Sequence, residues 1–152
     1  MTSAEALASA LFFMGHLIHF GALMSESDLP DPHDLATLTT AMPADANPSG
    51  DIFGGWLMSQ MDLAAGNIAA RISKGRVATI AVDGMMFHTP VHIGDEVSVY
   101  ARLISVGRTS MKLRVEAWRR PRESETKTRV TEAVFTFVAI DGNRRPRPVH
   151  GE

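Results

Sequence analysis

The run Asn47-Pro48-Ser49-Gly50-Asp51-Ile52-Phe53-Gly54-Gly55-Trp56 holds the densest concentration of chemically capable residues. Two glycines at the opening of a helix cost up to about 1 kcal/mol each against alanine, so something should offset them. Without side chains, Gly54 and Gly55 let a ligand approach backbone N–H groups that have no partner within the helix. The same helix end carries about half a positive charge. Donors aimed at one point, with that dipole behind them, suit an oxygen that gains negative charge during a reaction. Asp51 stands at the mouth of this arrangement, able to act as a base toward water or as a nucleophile. A plainer role is open at this point. Asp and Ser are favoured N-caps, and Ser49 or Asp51 could simply cap the helix.

Asp62 is the second carboxylate of interest. Eleven residues beyond Asp51, it lies about 16 Å further along a helix, so the two acids cannot share one reacting atom within a chain. A charge on an otherwise apolar helix needs a partner or a purpose, and a hydrogen-bonded structural Asp is as good an account as a catalytic one. His88 and His92 are four apart, but Pro90 lies between them in a strand-and-turn context, so helical metal-ligand spacing does not apply. Arg108, in a turn beside Thr109 and Ser110, could meet a phosphorylated ligand. The other arginines read as solvated surface, and the 9 methionines as adaptable core filling.

These residues need a scaffold. From Ile52 to Ser73 there is no proline, and Phe53, Leu57, Met61, Ala64, Ile68 and Ile72 recur at spacings of three and four. That predicts a helix, apolar on most sides and therefore buried. Leu35 to Met42 predicts a first strand. After the helix come four more strands, Val77 to Phe87, Glu96 to Val106, Ser110 to Arg120 and Arg129 to Ile140. Val97, Val99, Ala101 and Leu103 share one face, and Met111, Leu113, Val115 and Ala117 alternate against Lys112, Arg114 and Glu116. Phe135, Phe137 and Ala139 oppose Val134, Val138 and Ile140. Short turns between strands require antiparallel pairing. The absence of βαβ alternation excludes a doubly wound sheet. The expected architecture is an α+β domain, an antiparallel sheet of about five strands wrapped around one central helix.

The chain of 152 residues, 45% hydrophobic and 21% charged, suits one folded domain. A net charge of −2 argues against a dedicated nucleic-acid binder. With no cysteine, disulfide scaffolds, cysteine-ligated zinc and cysteine nucleophiles are excluded. Residues 1–34 read as an apolar leader followed by a polar, proline-bearing arm. Ala4 to Met24 contains no Lys or Arg, which argues against a signal peptide. Gly15, His16 and His19 interrupt it as a membrane helix, and no positive flank sets an orientation. The leader reads as an extra amphipathic helix, or as the product of an upstream start with Met24 the initiator. It is expected to be dispensable.

The helix-opening run, continuing through Leu57-Met58-Ser59-Gln60-Met61-Asp62, resembles the YciA-type acyl-CoA thioesterases of the hotdog superfamily. Further matches follow in order: Gly75-Arg76-Val77, Gly84-Met85 with Phe87, Pro90-Val91, Gly94-Asp95, Tyr100-Ala101-Arg102, Gly107 with Thr109-Ser110, and Thr131-Glu132-Ala133 before Phe135. The resemblance covers roughly 35–148; the leader has no counterpart in it. It implies a hotdog fold, no metal and no bound cofactor, with coenzyme A entering only as part of substrate and product. It implies a cytoplasmic enzyme, without membrane or nucleic-acid partners, that cleaves acyl-CoA thioesters with water. Subunits are expected to pair edge to edge with the site between them, and a trimer of dimers is the expected assembly.

Carried over, Asp51 is the catalytic carboxylate, the Gly54 or Gly55 amide polarises the thioester carbonyl, and Asn47 shapes the loop. Some hotdog thioesterases use a helix acid placed like Asp62 instead. Arg108, Thr109 and Ser110 match the turn expected near the coenzyme, although Arg108 is bulkier than the residue usual there. Two rivals remain. A hotdog enzyme that hydrates or dehydrates acyl thioesters would want a histidine beside the carboxylate, which the helix-opening run does not supply. A silent acyl-CoA binding or sensor subunit would tolerate loss of the charge on Asp51.

Overall fold

The computed structural model describes residues 29–151; the predicted leader, 1–23, lies outside them. Among the described residues one long helix, α1 (Gly54–Ser73), packs against a five-stranded antiparallel sheet. The strands are β1 (Leu35–Thr40), β2 (Val77–Asp83), β3 (Glu96–Val106), β4 (Ser110–Arg120) and β5 (Thr128–Ala139), in the order β1-β3-β4-β5-β2. This is the hotdog arrangement expected. β1 and β2 are therefore the outer strands, and among the described residues each pairs along one edge only.

The central strands follow the predicted alternation. In β4, Met111, Leu113, Val115 and Ala117 are fully buried, and Phe135, Phe137 and Ala139 of β5 join them. α1 meets this face through Leu57, Met61, Ala64, Ala65 and Ala69. Three alanines bring the helix backbone close to the sheet, and a Cβ on Gly66 would stand 3.5 Å from the Phe137 ring. The buried stripe is thus rotated from the one predicted: Phe53 is exposed, and Ile68 and Ile72 are only half-buried. Nor is α1 covered on all sides, since Met58 and Leu63 face outward.

Three strand ends fall short of expectation. β2 stops at Asp83 rather than Phe87 because Gly84 turns the chain with φ +73°, a conformation that favours glycine. β1 ends at Thr40 instead of Met42, where the turn Pro43–Asp45 begins. β5 ends at Ala139, and the chain folds back so that Ile140 bridges Pro146. In β3, Leu103 does not share the burial of Val97, Val99 and Ala101. The reason is coverage: β1 reaches only as far as the Leu35–Tyr100 pair, leaving Arg102 to Val106 exposed.

On β4 and β5 the Arg114 guanidinium donates to Glu132 Oε2 at 2.7 Å. That bond holds the Glu132 carboxyl below the usual carboxylate range and raises the Arg114 pKa. The C-terminal tail closes the other end of the molecule. Val149 is buried, and Arg147 donates to the Ser73 carbonyl at the last turn of α1 at 3.0 Å.

Candidate active site

α1 starts two residues later than its apolar spacing predicts because Asp51 and Ile52 are drawn into extended pairing. Asp51 bridges His92 and Ile52 bridges Ala46. The Ile52 N–H donates to the Val91 carbonyl at 3.2 Å. The N-cap is consequently Phe53, which makes no side-chain capping bond. Neither Ser49 nor Asp51 caps the helix. Its opening N–H groups are left without a side-chain acceptor among the described residues, and the carboxylate of Asp51 is more than half exposed.

The loop before the helix is organised by one side chain. Asn47 Oδ1 accepts from the Ser49 N–H at 2.9 Å and the Asp51 N–H at 3.1 Å. Its own N–H donates to the Asp51 carbonyl at 2.7 Å, and its carbonyl accepts from the Gly50 N–H at 2.9 Å. Gly50 makes the reversal with φ +87°, which a side chain would strain. Asn47 thereby sets where Asp51 stands.

A cavity of about 320 Å³ opens at the start of α1, lined by Phe53, Gly54, Leu57, Phe87, His88 and Val130 among others. A Cβ on Gly54 would lie 3.3 Å from the Phe87 ring, whereas one on Gly55 would meet nothing. Gly54 is therefore the glycine with a steric reason to be one. Beyond the cavity runs a buried network. The Asp95 carboxylate, in a residue only 5% exposed, accepts from the His92 N–H at 2.9 Å and from Arg119 of β4 at 2.8 Å. It fixes the turn that carries His92.

Asn47 and Asp51 are thus joined just ahead of the helix start; Gly54 lines the cavity, whereas Asn47, Asp51 and Gly55 are not among its lining residues. Asp62 is not with them. It lies eight residues into α1, about 12 Å from the helix start. Half-buried there, its Oδ1 accepts from Thr79 Oγ1 of β2 at 2.6 Å. Arg108, Thr109 and Ser110 are further away still. They occupy the β3–β4 turn, bonded to the C-terminal tail through Val149 and to the end of β5 through Ala139. Arg119, which braces the Asp51 side, is at the opposite end of β4, about 30 Å along the strand.

Two histidines that the sequence offers only as an improbable metal pair stand at the site instead. His88 lines the cavity, and His92 Nδ1 stands 3.9 Å from Asp51 Oδ1. Their spacing of four is no guide to this placement. Their position follows from pairing between loops some forty residues apart. Among the described residues no group of three metal-ligating side chains gathers.

A family model described as the thioesterase superfamily matches residues 49–126, which span the loop, α1 and most of the sheet. The acyl-CoA thioester hydrolase YciA of Salmonella typhimurium is 45% identical over 129 residues, covering 83% of this chain and 97% of its own. The chain is a YciA-type member of the thioesterase superfamily. Among solved structures, the hexameric thioesterase y2039 of Yersinia pestis is 48% identical with a TM-score of 0.76, over 82% of this chain and 100% of that one. A hexameric, broad-specificity acyl-coenzyme A thioesterase is 44% identical with a TM-score of 0.77, over 86% of this chain and 90% of that one. The superfamily match begins at Ser49, so it takes in Asp51 and both helix-opening glycines. No helix among the described residues is long and apolar enough to cross a membrane.

Proposed function

We propose that this protein is a cytoplasmic hydrolase of acyl-CoA thioesters, releasing a free carboxylic acid and coenzyme A, and that Asp51 is its catalytic base. The observation that carries the reading is the uncapped start of α1 beside a carboxylate that does not cap it. The N–H groups of Gly54 and Gly55 take the thioester carbonyl oxygen and stabilise its negative charge as water adds to the carbon. Asp51 removes the proton from that water. The C–S bond then breaks, the proton held by Asp51 passes to the departing coenzyme sulfur to give the thiol, and the acid leaves as carboxylate after losing its own proton to water. The apolar lining contributed by Phe53, Leu57, Phe87 and Val130 suits an acyl chain. Coenzyme A is substrate and product, and no further cofactor takes part.

The carboxylate next to His92 gives a second reading some support, since hydration of an acyl thioester uses such a pair. The relatives, named hydrolases at 45% identity, favour hydrolysis. One experiment separates the two and also the silent-subunit reading. Acyl-CoA esters from acetyl to palmitoyl, together with a 2-enoyl-CoA, are incubated with the protein while free thiol and the enoyl chromophore are recorded. Thiol release from saturated esters is the expected result. Loss of the chromophore without thiol release would establish hydration, and no change in either would leave a binding subunit.

The sheet edges support an assembly of several copies. Among the described residues β2 has no partner on its outer side, and Ile80 there is 59% exposed. An exposed edge invites strand pairing. We read this edge as the dimer seam and, by analogy with the hexameric relatives, a trimer of dimers as the complete enzyme. The placement of Arg108, Thr109 and Ser110 far from Asp51 fits such an assembly, in which this turn serves the coenzyme bound at another subunit's site. Sedimentation at assay concentration should give a hexamer, and Ile80→Pro should yield smaller, inactive species. A fully active monomer would contradict this arrangement.

A further inference from the structure

His92 enters neither the mechanism above nor the sequence motif, yet the fold aims it at Asp51. We infer that His92 is the positioning residue for the catalytic carboxylate, an inference that rests on the hydrolase reading. The two residues are direct partners in an antiparallel bridge, and partners of that kind carry their side chains on the same face, with Cβ atoms about 5 Å apart. The observed separation of 3.9 Å between Nδ1 and Asp51 Oδ1 is one small side-chain rotation, or one bridging water, from a hydrogen bond.

The bridge is not left to the two loops alone. The Ile52 N–H bonds to the Val91 carbonyl on one side of it. On the other, the His92 N–H bonds to the buried Asp95 carboxylate, itself held by Arg119. The charged groups around the imidazole are thus Asp51 across the bridge, Asp95 within its own turn and Arg119 behind Asp95. The carboxylate of Asp95 is engaged by the backbone N–H and the guanidinium, which leaves Asp51 as the acid available to the ring. Asn47 holds the Asp51 backbone through its N–H but does not restrain the carboxylate. A ring N–H donated from His92 restrains one carboxylate oxygen and leaves the other directed at the attacking water, as an orienting group does for a catalytic base.

The test is a mutant cycle in the full-length protein, with kcat and KM measured separately on one acyl-CoA. His92→Ala should lower kcat about tenfold with KM within a factor of two. His92→Asn, whose amide N–H stands near the place of Nδ1, should recover most of that loss. In an Asp51→Asn background, His92→Ala should cost nothing further. If His92→Ala lowers activity equally in both backgrounds, or if Asn fails to rescue, His92 acts through the loop's structure and the inference is overturned. Near-normal turnover by Asp51→Asn alone would instead overturn the hydrolase mechanism on which it rests. Far-ultraviolet circular dichroism and sedimentation of each variant exclude misfolding as the cause.

Discussion

Asp51→Asn should leave a folded oligomer whose kcat has fallen at least about a hundredfold. General-base contributions are roughly 10²–10⁴-fold, and the amide keeps the size of the carboxylate while losing its charge and its capacity to take a proton. Stability should barely change. Asp51 makes no capping bond to α1, and the bonds that hold its loop come from its backbone and from Asn47. KM should stay within a few-fold, because the glycine amides and the cavity wall are untouched. Asp62→Asn is the matched control: it removes the other acid, which bonds Thr79, without disturbing the helix opening. Steady-state thiol release by the two variants decides the matter. If Asp62→Asn abolishes turnover while Asp51→Asn preserves it, the chemistry belongs to the helix acid.

The largest loss of stability should follow Arg119→Ala. The Arg119 and Asp95 side chains are 18% and 7% exposed and joined at 2.8 Å. Taking away the guanidinium leaves a buried carboxylate with the His92 N–H as its remaining partner, and breaking a buried pair in this way costs about 3–5 kcal/mol. Arg120→Ala provides the comparison. Its partner Glu96 is 28% exposed against 7% for Asp95, so water can take over the carboxylate and the loss should be smaller. Urea midpoints at one fixed protein concentration, which holds the contribution of assembly constant, should fall far more for Arg119 than for Arg120. Equal shifts would mean that the turn carrying His92 is not braced by Asp95.

How much of this could be read from the chain depended on the range of the interactions involved. β4 was legible residue by residue, since Met111 to Ala117 alternate with charged neighbours and short turns tie them to both adjacent strands. The identity of the loop before α1 was legible too, because glycine, asparagine and aspartate carry their conformational preferences locally. The exact start of the helix was not. The apolar period runs through Ile52 and Phe53 without a break, and only pairing with Ala46 and His92 keeps Asp51 and Ile52 extended. The same long-range pairing hid His88 and His92, which look like strand and turn residues in isolation. Leu103 departs from its expected burial for a related reason: periodicity says which face a residue shares but not whether a neighbouring strand is long enough to cover it.

The bare start of α1 sets stability against turnover at a single position. Replacing Phe53 with Ser or Asp would supply the missing cap, a change worth about 1 kcal/mol in ordinary helices. It would also give the first-turn N–H groups an acceptor of their own, in competition with the substrate. Improving this enzyme by thermal screening alone would therefore favour Phe53 variants that survive heating and have lost their reaction, the familiar conflict between rigidity and activity confined here to one residue. Sturdier versions of the fold have to be sought away from the helix start and away from the tail as well, since the Val149 N–H bonds the turn proposed to serve the coenzyme.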